Sequence, residues 1–431
     1  MPLLQIIENP EKQHWETLLG RPVINSENLE TSVRKILEDV KKTGDKAVME
    51  YSVLFDQITS IDLIVREKEF DEAENKLGEE LKAAIHQAEK NISIFHSNQQ
   101  KQEPVVETLP GISCWRKSVA IEKIGLYIPG GTAPLFSTLL MLGIPARIAG
   151  CKEIIICTPP QKDGTIHPAV LYVAKLLGIS KLFRVGGVQA IAAMAYGTNT
   201  IPQVYKIFGP GNQWVTQAKK LIQQEGIAID MPAGPSELAI FADETAIPAF
   251  VAADLLSQCE HGADSQVILV TDSRTFAEKV NLELEIQIQK LPRKSIVEKS
   301  LENSKMFLIS NIADSMDLLN MYAPEHLILA CRDAEMLADK VRNAGSVFLG
   351  NYAPESAGDY ATGTNHTLPT NGFARAYSGI SIDSFVKKIS FQKLTKEGLQ
   401  SIGNTIIEMA RAEGFQAHAE AIVIRLLKPK A

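Results

Sequence analysis

Apolar positions in the first hundred residues recur at helical spacing. Between residues 73 and 95 they fall three or four positions apart, with Glu, Lys and Gln between them: Ala73, Leu77, Leu81, Ala84, Ile85, Ala88, Ile92 and Phe95. This spacing places them on one face of a helix. We therefore predict that residues 1–100 are mostly helical. His86 and His96 have no partner motif in this segment and are interpreted as packed or solvated.

From about residue 119 the pattern changes to short apolar runs that alternate with helical stretches. The first series of predicted strands is Ile124–Ile128, Glu153–Cys157, Lys181–Val185 and Tyr205–Phe208, with helices near 136–149, 167–178, 189–197 and 212–224. A second series is Glu237–Phe241, Gln266–Thr271, Met306–Ile309, His326–Ala330 and Ser346–Leu349. Such alternation is typical of βαβ units around a parallel sheet. Two related α/β domains are predicted.

The pattern breaks twice more towards the C-terminus. Residues 350–382 show no sustained period, and so long a loop in a compact domain is usually functional. The last fifty residues hold a helix near 395–412 and the apolar run Ala421–Leu427, too little to bury a core alone. The predicted division is 1–118 (a helical segment that joins the first α/β domain), 119–236 and 237–381 (the two α/β domains) and 382–431 (a C-terminal extension).

Composition narrows the class of protein. Hydrophobic residues make up 45% and charged residues 22% of the 431, close to the soluble globular average. A formal net charge of −7 argues against a nucleic-acid or anionic-membrane partner. No apolar run is long enough to span a bilayer, and no signal peptide is visible. The five cysteines are scattered without paired spacing, so we expect a reducing compartment, the cytoplasm.

Glycine-rich segments lie beside the predicted strands, where backbone N–H groups can meet a ligand. They are Gly130–Pro134, Gly209–Asn212 and Met231–Glu237. None has the G-x-G-x-x-G spacing of a dinucleotide fingerprint, and none is a P-loop. The pattern alone leaves open whether any of them contacts a ligand, and it does not identify a cofactor.

A predicted helix from about Pro248 to Gly262 is apolar almost all round but carries one polar face. Gln258 and His261 are three residues apart and share that face. Asp254 and Ser257 lie on the same side as candidate supporting groups. A metal would satisfy a polar face on a buried helix, and zinc accepts imidazole and oxygen ligands. The pair alone is a weak signal, because Q-x-x-H is common and a helix-terminal histidine complements the dipole.

Further histidines stand beside carboxylates in the C-terminal half. Asp359 and His366 lie in the irregular segment 350–382, and His418 follows Glu413 after the last long helix. Together they strengthen the case for a metal site, although a surface role for His418 stays open.

Glu325 and His326 stand at the start of a predicted strand. Histidine is the natural base for an alcohol proton near neutral pH, and the adjacent glutamate could activate water. The pair could equally well just begin the strand. A thiol that attacks an aldehyde is a rival, with Cys157 and Cys259 as candidates. Buried cysteine is usually inert, and Cys259 should be turned roughly 100° from Gln258 on a helix.

Five motifs, read together and in this order, resemble those of the histidinol dehydrogenase family. They are Gly125–Gly131, Phe208–Asn212, Asp230–Glu237, Asp254–Gly262 and Pro354–Tyr360. The resemblance covers nearly the whole chain, and the set is far more specific than any one motif. It implies two incomplete Rossmann-like domains and a homodimer in which the C-terminal piece of one subunit completes the partner's site. It also implies oxidation of L-histidinol through L-histidinaldehyde to L-histidine with two NAD in turn.

The resemblance also implies a role for individual residues. One zinc per subunit would be bound by Gln258, His261, Asp359 and His418. The catalytic pair would be Glu325 and His326. Substrate would meet these four ligands, His326, and also Ser236, His366 and Glu413. NAD would border Tyr127, Gln189 and Asn212.

Two other functions compete with this interpretation. One is a zinc hydrolase that uses Glu325 as the base towards a bound water. The other is a non-enzymatic protein that binds a metal or an amino acid. Cys259 is an unexpected thiol beside the proposed ligands, which raises the question of sensitivity to oxidation.

Overall fold

A computed structural model describes residues 3–22, 27–56, 62–130, 134–232 and 234–427. Most of the glycine-rich segment Gly130–Pro134 falls outside the described residues, as does Ala233 in the segment Met231–Glu237. None of the described helices combines the length and the apolar character that crossing a membrane requires.

Strands and helices alternate along most of the described chain. The strands are β1 Gln5–Glu8, β2 Val106–Leu109, β3 Ile112–Ala120, β4 Lys123–Tyr127, β5 Glu153–Thr158, β6 Lys181–Arg184, β7 Lys206–Phe208, β8 Ala228–Ile229, β9 Glu237–Ala242, β10 Gln266–Thr271, β11 Lys305–Leu308, β12 His326–Ala330, β13 Ser346–Leu349 and β14 Val386–Leu394.

The helices are α1 Trp15–Leu18, α2 Glu27–Thr43, α3 Asp45–Asp56, α4 Glu67–Asn75, α5 Glu79–Ser97, α6 Phe136–Ala149, α7 Pro168–Leu176, α8 Gly187–Tyr196, α9 Gln213–Gln224, α10 Pro248–Cys259, α11 Arg274–Gln287, α12 Lys294–Glu302, α13 Ile312–Tyr322, α14 Ala334–Ala338, α15 Glu355–Tyr360, α16 Lys396–Ala412 and α17 Gln416–Leu426. Short 3-10 helices span Lys12–His14, Ile288–Lys290, Phe373–Arg375 and Ile382–Phe385.

Two parallel sheets share one strand order. The first runs β6-β5-β4-β7-β8, and the second runs β1-β11-β10-β9-β12-β13. When the strands of each sheet are numbered along the chain, and β1 is set aside, both read 3-2-1-4-5. This is five of the six strands of the Rossmann order. The prediction of two related, incomplete Rossmann-like domains is therefore confirmed.

Helices cover both faces of each sheet, so alternate strand residues enter two different cores. In β5, Ile156 joins one apolar cluster, whereas Ile155 and Cys157 join the other across the sheet. Burial on both faces explains why these strands are continuous apolar runs in the sequence. The predicted strands and helices of this region therefore lie within a few residues of the observed ones.

The N-terminal segment is mostly helical, as predicted, with one exception. β1 pairs in parallel with β11 and so adds a strand to the second sheet. The expectation that the whole segment joins the first α/β domain is wrong at this point, because four residues on a sheet edge leave no periodic signal. His96 is buried against Gln99, whereas His86 is exposed and contacts the Tyr172 hydroxyl, so one histidine is packed and the other solvated.

The chain divides into two compact units. The first comprises residues 1–99 and 121–385, and the second comprises 100–120 and 386–431. In the second unit β14 pairs antiparallel with β3 over its whole length, and β2 completes the sheet. The sequence analysis placed residues 100–118 in the N-terminal segment and missed this long-range pairing. The boundaries at 118, 236 and 381 stay predictions.

Helices α16 and α17 of the second unit pack on each other around a small apolar cluster. Its buried members are Ile407, Ala410 and Ala419. Several large apolar side chains of these helices and the turns that end them are more than half exposed in the single chain: Met409, Phe415, Ile424 and Leu427. So small a core agrees with the expectation that this segment must pack on a larger body.

Candidate metal and catalytic site

Polar side chains converge at the amino ends of two neighbouring strands in the second sheet. Glu237 begins β9 and His326 begins β12, and these strands are adjacent. Just before β12, Ala323 adopts the left-handed conformation with φ of 51° and ends α13. Pro324 then leads the chain into Glu325, which is buried like Glu237 and His326. This turn sets the Glu325–His326 pair at the sheet edge.

Carboxylates surround the buried His326 ring. Its Nε2 lies 3.4 Å from Asp359 Oδ1, and its Nδ1 lies 3.8 Å from Glu325 Oε2 and 3.9 Å from Glu355 Oε1. Among the described residues, neither His326 Nδ1 nor Asp359 Oδ1 has a hydrogen-bond partner of good geometry. Buried polar atoms without partners are costly, so a further group is expected among them.

Three side chains here form a ligand set suited to a metal ion. His261, Glu355 and Asp359 each offer one ligand atom, and these atoms lie within 4.8 Å of one another. Imidazole nitrogen and carboxylate oxygen are ligands that zinc accepts readily. The structure therefore brings His261 and Asp359 together, as the sequence analysis expected, and adds Glu355.

Gln258 lies beside this cluster, fully buried in α10. In the amide orientation that gives both polar atoms a suitable partner, the nitrogen donates to the two Glu355 oxygens at 2.8 and 2.5 Å. Its oxygen then lies 3.3 Å from the backbone nitrogen of Glu237. The predicted helix to Gly262 is too long, since α10 ends at Cys259 and His261 follows in an exposed turn. The shared helical face therefore does not explain how His261 reaches Asp359.

The remaining predicted ligand belongs to the second unit. His418 is in α17, and Glu413 directly follows α16; both are exposed in the single chain. Their part in the site stays a prediction.

Burial and mutual charge perturb the pKa values of this cluster. Burial raises the pKa of Glu325 to about 8 and that of Glu355 also to about 8. Burial opposes charge on His326, but the carboxylates of Glu325, Asp359 and Glu355 outweigh it and raise its pKa to about 10. Burial also opposes charge on Asp359, yet its contact with His326 holds its pKa below the usual value. Three carboxyl groups around one imidazole, two of them with raised pKa values, suit a divalent cation, which would favour their ionised forms.

One cavity of about 680 Å³ joins this cluster to the loops of the first sheet. Ser236, His261, Glu325, His326, Asp359 and His366 line it on one side. His366 connects the two α/β domains, because its Nδ1 lies 2.9 Å from the Asp359 carbonyl oxygen and its Nε2 lies 3.1 Å from Thr138 Oγ1. Of the predicted substrate residues in the first unit, Ser236, His261, His326, Asp359 and His366 thus share one space, whereas the buried Gln258 is not among the residues that line it.

The other side of the cavity is the carboxyl edge of the first sheet, between β4 and β7. Here Gly209 has φ of 128°, and a Cβ on it would lie 2.0 Å from the Tyr127 carbonyl oxygen. Asn212 lines the cavity and caps α9 by accepting from the backbone nitrogens of Trp214 and Val215. A helix N-terminus at the switch point of a parallel sheet is where dinucleotide phosphates bind in doubly wound folds.

Tyr127 and Gln189 lie at the same edge of the first sheet. The Tyr127 hydroxyl accepts from the backbone nitrogen of Gly187 at 3.2 Å. Gln189, at the start of α8, is 1% exposed, yet neither atom of its amide has a partner among the described residues. An unpaired buried amide is costly, so a polar partner is expected for it.

The rival thiol mechanism finds no support. Cys157 and Cys259 are both fully buried in apolar clusters. Burial raises the pKa of Cys259 to about 12 and that of Cys157 still further, so neither forms the reactive thiolate near neutral pH. Burial also shields Cys259 from oxidants.

Sequence reasoning missed two groups at this site. Glu355 stands in the motif Pro354–Tyr360 but received no role, although it lies four residues before Asp359 and so on the same helical face. Arg21, from the N-terminal segment, reaches Glu237 with donor–acceptor distances of 2.5 and 2.9 Å. No sequence signal links Arg21 to a glutamate 216 residues later.

The raised pKa of Glu355 predicts a measurable dependence of stability on pH in the metal-free protein. A carboxylate whose folded pKa exceeds its unfolded value stabilises the fold at low pH and loses this contribution as pH rises. From pH 6.5 to 8, the free energy of unfolding should fall by about 1 to 2 kcal/mol more in the wild type than in Glu355→Gln. Urea unfolding of both proteins at these two pH values measures the difference. Parallel changes in both proteins would contradict the raised pKa.

Fold and site together define a class of protein. Two incomplete Rossmann-like domains enclose a cavity in which a buried acid–base pair lies beside ligands of the kind that bind metals. This is the arrangement of a two-domain α/β enzyme.

Comparison with known proteins gives the family. Residues 19–426 match the histidinol dehydrogenase family. Histidinol dehydrogenase from Bacteroides thetaiotaomicron is 55% identical over 98% of this chain and 99% of that protein, and the enzyme from Colwellia psychrerythraea is 49% identical over 96% of each. A crystal structure of histidinol dehydrogenase from Elizabethkingia anophelis has a TM-score of 0.97 at 52% identity, covering 99% of this chain and 98% of that one. The chain belongs to the histidinol dehydrogenase family.

Proposed function

We propose that this chain oxidises L-histidinol through L-histidinaldehyde to L-histidine, in the last steps of histidine biosynthesis, with two NAD reduced in turn at one zinc site. Membership of the histidinol dehydrogenase family supports the reaction. The observation that carries the assignment of the site is the approach of the His261 and Asp359 ligand atoms to within 4.8 Å of each other, beside the buried His326 and next to Glu355, whose carboxylate contacts the Gln258 amide.

The residues present fit a zinc ion. Gln258, His261 and Asp359 would supply three ligands from one subunit, and His418 would supply the fourth. The unpaired Asp359 Oδ1 and the surplus of carboxylates support a cation here. Nitrogen and oxygen ligands in this number suit zinc, whose catalytic sites also admit substrate.

The carboxyl edge of the first sheet fits NAD. Asn212 at the start of α9, the unpaired amide of Gln189 and the adjacent Tyr127 all lie at the edge where dinucleotides bind in related folds. We assign these three residues to the border of the NAD site.

The roles of the catalytic pair follow from their positions. When bound, zinc would hold the nitrogens of the substrate and offset the surrounding negative charge, and NAD would accept hydride. With that charge offset, His326 becomes neutral near pH 7 and accepts the substrate hydroxyl proton in the first oxidation. Glu325, buried beside it, takes a proton from the water that adds to the aldehyde, while His326 returns its proton to the carbonyl oxygen and becomes neutral again. His326 then accepts a hydroxyl proton of the resulting hydrate in the second oxidation. Ser236 and His366 line the same cavity and are assigned to substrate.

We further propose a cytoplasmic homodimer in which Glu413 and His418 reach the partner's site. Both residues are exposed in the single chain, in a unit whose helices also expose large apolar side chains. Such exposure supports an interface with another subunit.

A stoichiometry tests the proposed function. We expect two NADH per L-histidinol, loss of activity by at least about 100-fold after removal of the metal by a chelator, and recovery when zinc is restored. The measurement is NADH absorbance at limiting substrate, with the chelator alone and then with excess Zn²⁺. A hydrolase would release no NADH, and a binding protein would show no turnover. One NADH per substrate would contradict the four-electron reaction.

A further inference from the structure

Glu355 is a buried carboxylate beside the site, and the proposed reaction gives it no role. Its residue is 1% exposed, and it lies on the short helix α15, one turn before Asp359. Charge buried to this extent is retained only with good partners. Its contacts therefore indicate what it does.

The two oxygens of Glu355 point at the amide of Gln258. The amide nitrogen donates to both of them, at 2.8 and 2.5 Å, and the Ser257 hydroxyl lies 3.5 Å from one of them. The amide nitrogen cannot bind a metal ion, whereas the amide oxygen can. Because Glu355 accepts only hydrogen bonds when ionised, it holds the nitrogen and turns the oxygen of Gln258 away from itself.

When Glu355 is ionised, the alternative orientation of the amide is strongly disfavoured. If the amide oxygen faced Glu355, two acceptors would meet, and the amide nitrogen would face the backbone N–H of Glu237. Both contacts would be repulsive in a buried site, where unpaired polar groups are costly. An ionised Glu355 thus leaves one amide orientation available, with the oxygen turned towards the backbone nitrogen of Glu237.

We propose that Glu355 is a positioning residue that presents the Gln258 oxygen to the metal. This inference rests on the proposed zinc site and assigns a role to a residue outside its four ligands. Groups that fix the orientation of a ligand in this way typically contribute about 10- to 100-fold to metal affinity. Glu355 also lies 3.9 Å from His326 Nδ1, so the same carboxylate borders the catalytic base.

A measurement of metal binding can distinguish Glu355 as a positioning residue from Glu355 as a metal ligand. Both Glu355 oxygens are already engaged by the Gln258 amide. A catalytic zinc site has few protein ligands, and the proposed set already numbers four. Loss of Glu355 should therefore weaken metal binding while the ligands around the bound ion remain the same.

The test measures metal binding to the metal-free protein, without turnover. Competition with a chromogenic zinc chelator should show about 10- to 100-fold weaker zinc binding in Glu355→Ala than in the wild type. Ser356→Ala is the matched control, because Ser356 is exposed on the same helix and should bind zinc as the wild type does. The Co²⁺-loaded Glu355→Ala protein should keep the absorption bands of the wild type, since the ligand set is unchanged.

A swap of the two side chains gives a positive test. In the double variant Gln258→Glu/Glu355→Gln, the amide at position 355 donates to the carboxylate at position 258. The hydrogen bond therefore forms again with donor and acceptor exchanged, and the total charge is preserved. Zinc affinity should return to within about 10-fold of the wild type, whereas Glu355→Gln alone stays weaker. Glu355→Gln keeps the side-chain volume, so it carries the measurement even if Glu355→Ala does not fold.

The results distinguish a failure of the positioning role from a failure of the proposed function. Unchanged zinc affinity in both Glu355 variants, shifted Co²⁺ bands in Glu355→Ala, or a swap that recovers nothing would each overturn the positioning role. If the wild type itself binds no zinc, the proposed function fails instead.

Discussion

A Glu325→Gln variant is expected to oxidise histidinol to the aldehyde and then to stall. Glu325 is buried beside His326, and we assign it the activation of water, which only the second oxidation needs. Loss of a general base typically lowers the rate of its step by about 10² to 10⁴-fold. In single-turnover experiments the variant should form one NADH per site quickly and the second NADH slower by that factor.

The matched comparison for this prediction is His326→Asn. His326 takes a proton in both oxidations, so this variant should slow the first NADH as well as the second, each by about 10² to 10⁴-fold. Glu335→Gln changes an exposed glutamate on α14 and should leave both phases unchanged. A Glu325→Gln enzyme that loses the first phase but retains oxidation of added aldehyde would show that the assigned roles are wrong.

The strands that build the two sheets could be predicted because burial leaves a local signal. β9 and β10 are buried at every position, and inside their polar end residues the sequence shows an apolar run, Leu238–Ala242 in β9 and Val267–Val270 in β10. β14 gives no such signal, because nearly all of its side chains are exposed and it forms only by pairing with β3, over 260 residues earlier. Strands without a buried face depend on pairing rather than on pattern.

Some residues of the candidate site could likewise be predicted from the sequence, whereas the contacts that orient them could not. Gln258, His261 and Asp359 could be selected because their residue types and motifs suit a metal, and His326 because imidazole suits proton transfer. The contact between Glu355 and Gln258 joins residues 97 positions apart, on two helices that only the fold brings together. Motifs can nominate ligands, but they do not show which neighbours orient them.

Two inactive variants are expected to restore activity to each other if the active site is shared between subunits. His326 lies in the first unit of the chain, and His418 lies in the second. In a twofold dimer that exchanges the second units between sites, His326→Ala disables one half of each site and His418→Ala disables the other half. Each homodimer is then inactive. A mixed dimer contains one site with both defects and one site with neither.

The size of the recovery is set by how the subunits mix. Random exchange makes about half of the dimers mixed, and one of their two sites is intact, so about a quarter of wild-type activity should return. Activity is measured as NADH formation after equal amounts of the variants are unfolded and refolded together, with separately refolded variants mixed afterwards as the control. Mass spectrometry of differently tagged chains verifies the exchange. If mixed dimers form and activity stays at the level of that control, His326 and His418 act within one subunit, and the composite site is wrong.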